Sequence, residues 1–139
     1  MKVIEHNGER IAIHIESKDI QEGLNFYSNE NDFLQVGTWR YKAGLYLGPH
    51  AHNRGTDRRI DRTQEVVHIM RGALEADILS EKGKLLDSVT LQEGDTLILL
   101  SGGHGYRILK DDTMVLEIKN GPYLGPERDR RRIEINRLP

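Results

Sequence analysis

Isoleucines at positions 11, 13 and 15 alternate with Ala12 and His14, a period of two that predicts a strand with one buried face. Residues 2–5 form a second strand-like run just ahead of it, and Asn7-Gly8 lies between the two. An Asn-Gly pair flanked by alternating apolar residues is the strongest short-range hairpin signal, because both turn positions need a positive φ. Over residues 17–31 the pattern weakens: residues 18–23 predict a short helical turn ended by Gly23, and residues 28–32 a polar loop.

From Phe33 the chain turns strand-like again, with Leu34, Val36 and an alternating run over residues 38–42 before Ala43-Gly44. Leu45-Tyr46-Leu47 leads into Gly48-Pro49. Further strands are predicted at residues 65–70, closed by Arg71-Gly72, and at 73–80, ended by Glu81-Lys82-Gly83-Lys84. Residues 85–91, 96–100, 105–109 and 113–119 complete about ten short strands separated by Gly, Asp and Asn turns. No stretch carries a long helical period. The expected class is therefore all-β, a small antiparallel β-barrel or jelly roll, although strand pattern alone leaves sandwich and barrel undecided.

Composition narrows the chemistry. At 139 residues the chain fits a single domain spanning residues 1–139, with a turn-rich, charged tail over 120–139 that packs across the barrel or a neighbouring subunit. There is no cysteine, so a metal would be held by nitrogen and oxygen alone. The first residues lack the apolar core of a signal peptide and no run reaches the length of a membrane span, so a cytoplasmic protein without a membrane partner is expected. A net charge of −2 with interspersed acids and bases provides no basic field for nucleic acid.

Against this background His50-Ala51-His52 stands out. On a strand, residues two apart share a face, so both imidazoles point the same way, and imidazole suits borderline divalent metals. The spacing Gly44-x5-His50-x-His52, followed after a loop by Glu65-x6-Gly72, resembles the first conserved motif of the cupin superfamily. Gly94-Asp95-Thr96-Leu97-Ile98-Leu99-Leu100-Ser101-Gly102-Gly103-His104 resembles the second, and together the likeness covers roughly residues 36–119. The chain thus looks like a small single-domain cupin, which implies a barrel of the double-stranded β-helix type.

The resemblance also implies one divalent transition metal ion, Fe, Mn, Ni, Co or Zn, held by His50, His52, Glu65 and His104, with up to two coordination positions open to substrate. This sequence departs from the family pattern in three ways. The interval from His52 to Glu65 is longer than usual, making the segment of residues 53–64 an insertion at the mouth of the site. Leu100 replaces a proline with one residue fewer before His104, and a terminal asparagine is missing. Gly102-Gly103 still allows the sharp turn that His104 requires.

Arg54, Arg58, Arg59 and Arg62 of the insertion are candidate contacts for a substrate carboxylate or phosphate, because a guanidinium fork matches both; Asp57 and Asp61 offer them an alternative pairing within the loop. Tyr46 is a further candidate for substrate binding and Tyr106 for catalysis, each through its hydroxyl. His68, three residues after Glu65, falls on the opposite strand face and is read as a packing histidine, while His6 and His14 have no partner at ligand spacing.

Three functions follow from these residues. The first is a metal-dependent enzyme, an isomerase or dioxygenase, acting on a small polar substrate, sugar-like or carboxylate. The second resembles the sugar-nucleotide ketoisomerases of the same superfamily, with His50 and His52 as metal-free acid and base. The third is a non-catalytic small-molecule binding module. A homodimer is expected through the hairpin of residues 2–15, as cupins commonly associate by their N-terminal strands.

Overall fold

A computed structural model of the chain describes residues 1–29, 32–48, 62–120 and 133. These form ten strands: β1 (Lys2–His6), β2 (Glu9–Ile15), β3 (Gly23–Phe26), β4 (Gly37–Arg40), β5 (Glu65–Arg71), β6 (Ala73–Leu79), β7 (Leu85–Gln92), β8 (Thr96–Leu99), β9 (Gly103–Ile108) and β10 (Met114–Lys119). Among the described residues the only helical element is the single 3-10 turn Ser17–Asp19, and no helix is long and apolar enough to cross a membrane. The all-β class expected from the strand pattern is the class observed.

Local chemistry explains the first hairpin. Asn7 and Gly8 have φ of 51° and 80°, the paired left-handed conformation of a type I′ turn, whose twist matches that of β1 and β2. The short turn expected before Gly23 is the 3-10 element, closed as a capping box by Glu16 and Asp19. Strand β3 was not foreseen: its apolar residues Leu24 and Phe26 remain 55% and 60% exposed, so they add nothing to a buried stripe.

Every ladder is antiparallel. The strands make a five-stranded sheet in the order β1-β2-β8-β5-β10, a three-stranded sheet β7-β6-β9 and a separate β3-β4 ribbon. The chain passes from β5 in the larger sheet to β6 and β7 in the smaller, back to β8, across to β9 and back to β10.

The middle strands of the larger sheet are covered on both faces, which is why β8 reads Thr-Leu-Ile-Leu without alternation. Its inner face carries Val67, Ile69, Leu97 and Leu99 against Leu74, Ala76 and Ile78 of the smaller sheet. On the outer face Ile13, Ile15, Val66, Ile98 and Leu100 pack against Tyr27, Leu34 and Val36. The crossing from β5 to β6 needs glycine: Gly72 has φ +86°, and a Cβ there would lie 2.8 Å from Thr113 Cα.

A buried polar knot fixes the opposite corner. Asp95, in the turn between β7 and β8, accepts hydrogen bonds from Gln92 N at 2.9 Å and Ser17 N at 3.2 Å, and lies 3.3 Å from His14 Nε2. His14 and Asp95 are both buried.

Candidate functional site

Strand register brings two of the expected ligands together. Glu65 opens β5 opposite Leu99 of β8, sharing with Val67 and Ile69 the face that looks into the core. His104 lies on β9 opposite Ile78, whose side chain is fully buried on the inner face of the smaller sheet. The two side chains therefore leave different sheets and converge at one end of the sandwich. His104 Nε2 stands 3.3 Å from Glu65 Oε2, with the side chains 30% and 15% exposed.

Tyr106 follows on the same face of β9, opposite Ala76, its ring 5.2 Å from the His104 ring between centroids. Although the residue keeps 39% of its surface exposed, the phenol is enclosed enough for burial to push its ionisation above the usual tyrosine range. The nearby carboxylates of Glu65 and Glu117 push it further in the same direction. The hydroxyl is thus held as a neutral hydrogen-bond donor.

Strand β10 closes the cluster from the other side of Glu65. Lys119 is the register partner of Glu65 and Glu117 that of Val67, so both face inward, with Lys119 Nζ 3.8 Å from Glu117 Oε1. Sequence reasoning passed over these two residues. Their signal is the i, i+2 pair of charges in the otherwise apolar run Met114-Val115-Leu116-Glu117-Ile118-Lys119.

The remaining candidates are placed less centrally or not at all. Tyr46 lies in residues 41–48, which have no regular secondary structure, and is 80% exposed. Arg62 Nη1 is 2.6 Å from Glu9 Oε1 on the N-terminal hairpin, and the residue lines a cavity of about 420 Å³ with Glu9, Arg10, Asp32 and Gln64. His50, His52, Arg54, Arg58 and Arg59 lie outside the described residues, as does the arginine-rich part of the tail. His68 does occupy the outer face, with Nδ1 3.0 Å from Thr96 Oγ1.

The separation of Glu65 and His104 is one that two ligands of a single metal ion can have. Bonds of about 2.0–2.2 Å at octahedral or tetrahedral angles place two donor atoms about 2.9–3.5 Å apart, which includes the separation of Glu65 and His104. Among the described residues no group of three or more such side chains converges. The same pair also has the geometry of a carboxylate orienting an imidazole for proton transfer. Compared with protein-family models, curated proteins and solved structures, the chain finds no match.

Proposed function

We propose that the chain is a metal-dependent cupin enzyme, in which Glu65 and His104, completed by His50 and His52, hold one divalent transition metal ion. The observation that carries this reading is the 3.3 Å approach of Glu65 Oε2 to His104 Nε2 across two sheets. These residues come from the two separate sequence motifs and are brought together by strand register. The alternation of the chain between the larger and smaller sheets from β5 to β10 supports a jelly-roll path, with closure into a barrel as part of the proposal.

When bound, the ion acts as a Lewis acid toward a substrate oxygen. Tyr106, kept protonated by burial and by Glu65 and Glu117, donates a hydrogen bond to an oxygen of the substrate beside the His104 ring. Lys119 and Glu117 line the adjacent wall and favour a small polar substrate, sugar-like or carboxylate. The arginines at 54, 58, 59 and 62 supply guanidinium groups for an anionic part of it. Isomerisation and oxygen-dependent cleavage are the two reaction classes this arrangement serves.

A second reading is favoured by one feature, the hydrogen-bonding distance between an imidazole and a carboxylate: metal-free acid–base catalysis, in which the histidines move protons α to a keto group of a sugar nucleotide. Metal analysis separates the two. Protein purified without added metal should carry stoichiometric metal, lost in Glu65→Ala, His104→Ala and His50→Ala alike. A wild type that is metal-free, takes up none on dialysis against Fe(II), Mn(II), Ni(II), Co(II) or Zn(II), and binds a sugar nucleotide would establish the second reading instead.

A further inference from the structure

Three connections meet at the end of the sandwich away from Glu65 and His104. The corner between β5 and β6, the β7–β8 turn and the loop from β9 to β10 together line a cavity of about 490 Å³. Glu65 opens β5 and Arg71 closes it, so at roughly 3.3 Å per residue the two ends of the strand lie about 20 Å apart.

Each wall of this cavity is pinned by the backbone beneath it. Thr113 Oγ1 accepts from Ala73 N at 3.2 Å and donates to Lys110 O at 2.7 Å, and Leu109 N donates to Ala73 O at 3.0 Å, which clamps the β9–β10 loop onto the β5–β6 corner. The β7–β8 turn is held by the bond from Gly94 N to Ile69 O at 2.8 Å and by the Asp95 carboxylate on Gln92 N.

The side chains above this frame are charged and unpaired. Arg71, Glu93, Lys110, Asp111 and Asp112 all line the cavity, and among the described residues no ion pair joins any of the five. Arg71 makes one side-chain hydrogen bond there, from Nε to the backbone carbonyl of Asp112 at 3.2 Å. That bond orients the guanidinium and leaves both Nη groups to a ligand.

Charge narrows what the ligand can be. Three carboxylates oppose a simple anion such as phosphate, and two cations oppose a bare amine. Among the described residues no group of three or more His, Asp or Glu side chains is placed to hold a metal ion. No aromatic ring lines the cavity, so a nucleobase or sugar would find no stacking face. A molecule that carries both a carboxylate and ammonium groups satisfies both signs, and two cations against three anions favour one more ammonium than carboxylate.

We propose that this cavity is a binding site for a basic α-amino acid. Its carboxylate lies on the Arg71 fork beside Lys110, and its ammonium groups lie among Glu93, Asp111 and Asp112. The site is independent of the metal reading.

Isothermal titration calorimetry with L-lysine tests the assignment. L-Lysine should bind saturably, one per chain, and at least tenfold more tightly than 1,5-diaminopentane, which lacks the carboxylate, or L-glutamate, which reverses the charge. Arg71→Gln should raise the dissociation constant for L-lysine about tenfold, and Glu93→Gln should raise it by a similar factor. Both positions are exposed, and an unchanged Tm in these variants excludes misfolding as the cause. Amide resonances of Gly72 and Asp112 should shift on adding L-lysine, while Glu65→Ala should bind it as the wild type does. The proposal is overturned if L-lysine gives no saturable heat, if the diamine binds equally well, or if Arg71→Gln retains full affinity. Shifts confined to the Glu65 and His104 end would overturn it too.

Discussion

Replacing Asp95 by alanine should destabilise the fold more than any surface change, and the cost can be worked from its partners. The carboxylate is 6% exposed and serves three donors: Gln92 N, Ser17 N and His14 Nε2. Each buried donor left without a partner costs about 1–3 kcal/mol. The three donors converge on one carboxylate, so their losses will not add in full, and about 3–5 kcal/mol is the expected loss. For a domain stable by about 5–15 kcal/mol this is a large fraction. It should lower Tm by about 10–20 °C at this chain length. Urea unfolding followed by circular dichroism gives the free energy directly, with the slope checked for two-state behaviour. Asp95→Asn keeps one acceptor oxygen but turns an NH2 group toward a backbone donor, and should cost about half as much. His14→Ala leaves both backbone donors satisfied and should also cost less than Asp95→Ala. A loss below about 1 kcal/mol in Asp95→Ala would refute the view that this carboxylate ties the β7–β8 turn to β2 and the 3-10 turn.

Other consequences are open to direct measurement. Because the folded state favours the neutral phenol of Tyr106, its contribution to stability is intact below the ordinary tyrosine value of about 10 and declines as pH rises beyond it. A spectrophotometric titration should show one of the five tyrosines ionising last, and Tyr106→Phe should remove that late component; an unchanged curve would count against the enclosure of this ring. Gly72→Ala combines a disfavoured positive φ with a clash against Thr113 and should cost about 2–4 kcal/mol, read as a lower urea midpoint. Added Zn(II) or Mn(II) should raise the Tm of the wild type, by the equivalent of about 2.7 kcal/mol at a hundredfold excess over Kd, and leave Glu65→Ala unmoved; equal shifts in both would place the metal elsewhere. Ile98→Ala, emptying a fully buried position on the outer face, should cost about 2–5 kcal/mol in the same unfolding assay.

Much of the fold was legible because its signals are local. Asn7-Gly8 sets a type I′ turn whatever lies elsewhere in the chain, and the alternation at Ile11, Ile13 and Ile15 marked β2 as a strand, although Ala12 and His14 are buried too, so both of its faces are covered rather than the one expected. What escaped the pattern depends on distant partners. Strand β3 holds its place by pairing with β4, eleven or more residues away in the chain, and its exposed Leu24 and Phe26 contribute no burial signal. Strand β9 starts at Gly103, earlier than expected, because residue 103 pairs with Leu79 of β6, distant in the chain. Such a contact is invisible without the folded chain. His14 likewise showed no partner at ligand spacing, since Asp95 lies 81 residues away.

Parity along each strand decides which side chains belong to the site. Glu65 shares the parity of Val67 and Ile69 and faces the core, while His68, with the opposite parity, bonds Thr96 on the outer face. On β10 the same rule selects Glu117 and Lys119 for the inner wall and leaves Leu116 and Ile118 outside. On β9 it selects His104 and Tyr106 and turns Arg107 outward, where it meets Glu75. A shift of one residue on β5 would turn Glu65 out of the site and His68 into the core, and one on β9 would turn His104 and Tyr106 outward and Arg107 inward. The register that buries Val67, Ile69 and Ile78 is therefore the register that brings Glu65 to His104, so the packing of the core and the assembly of the site are enforced by the same hydrophobic free energy.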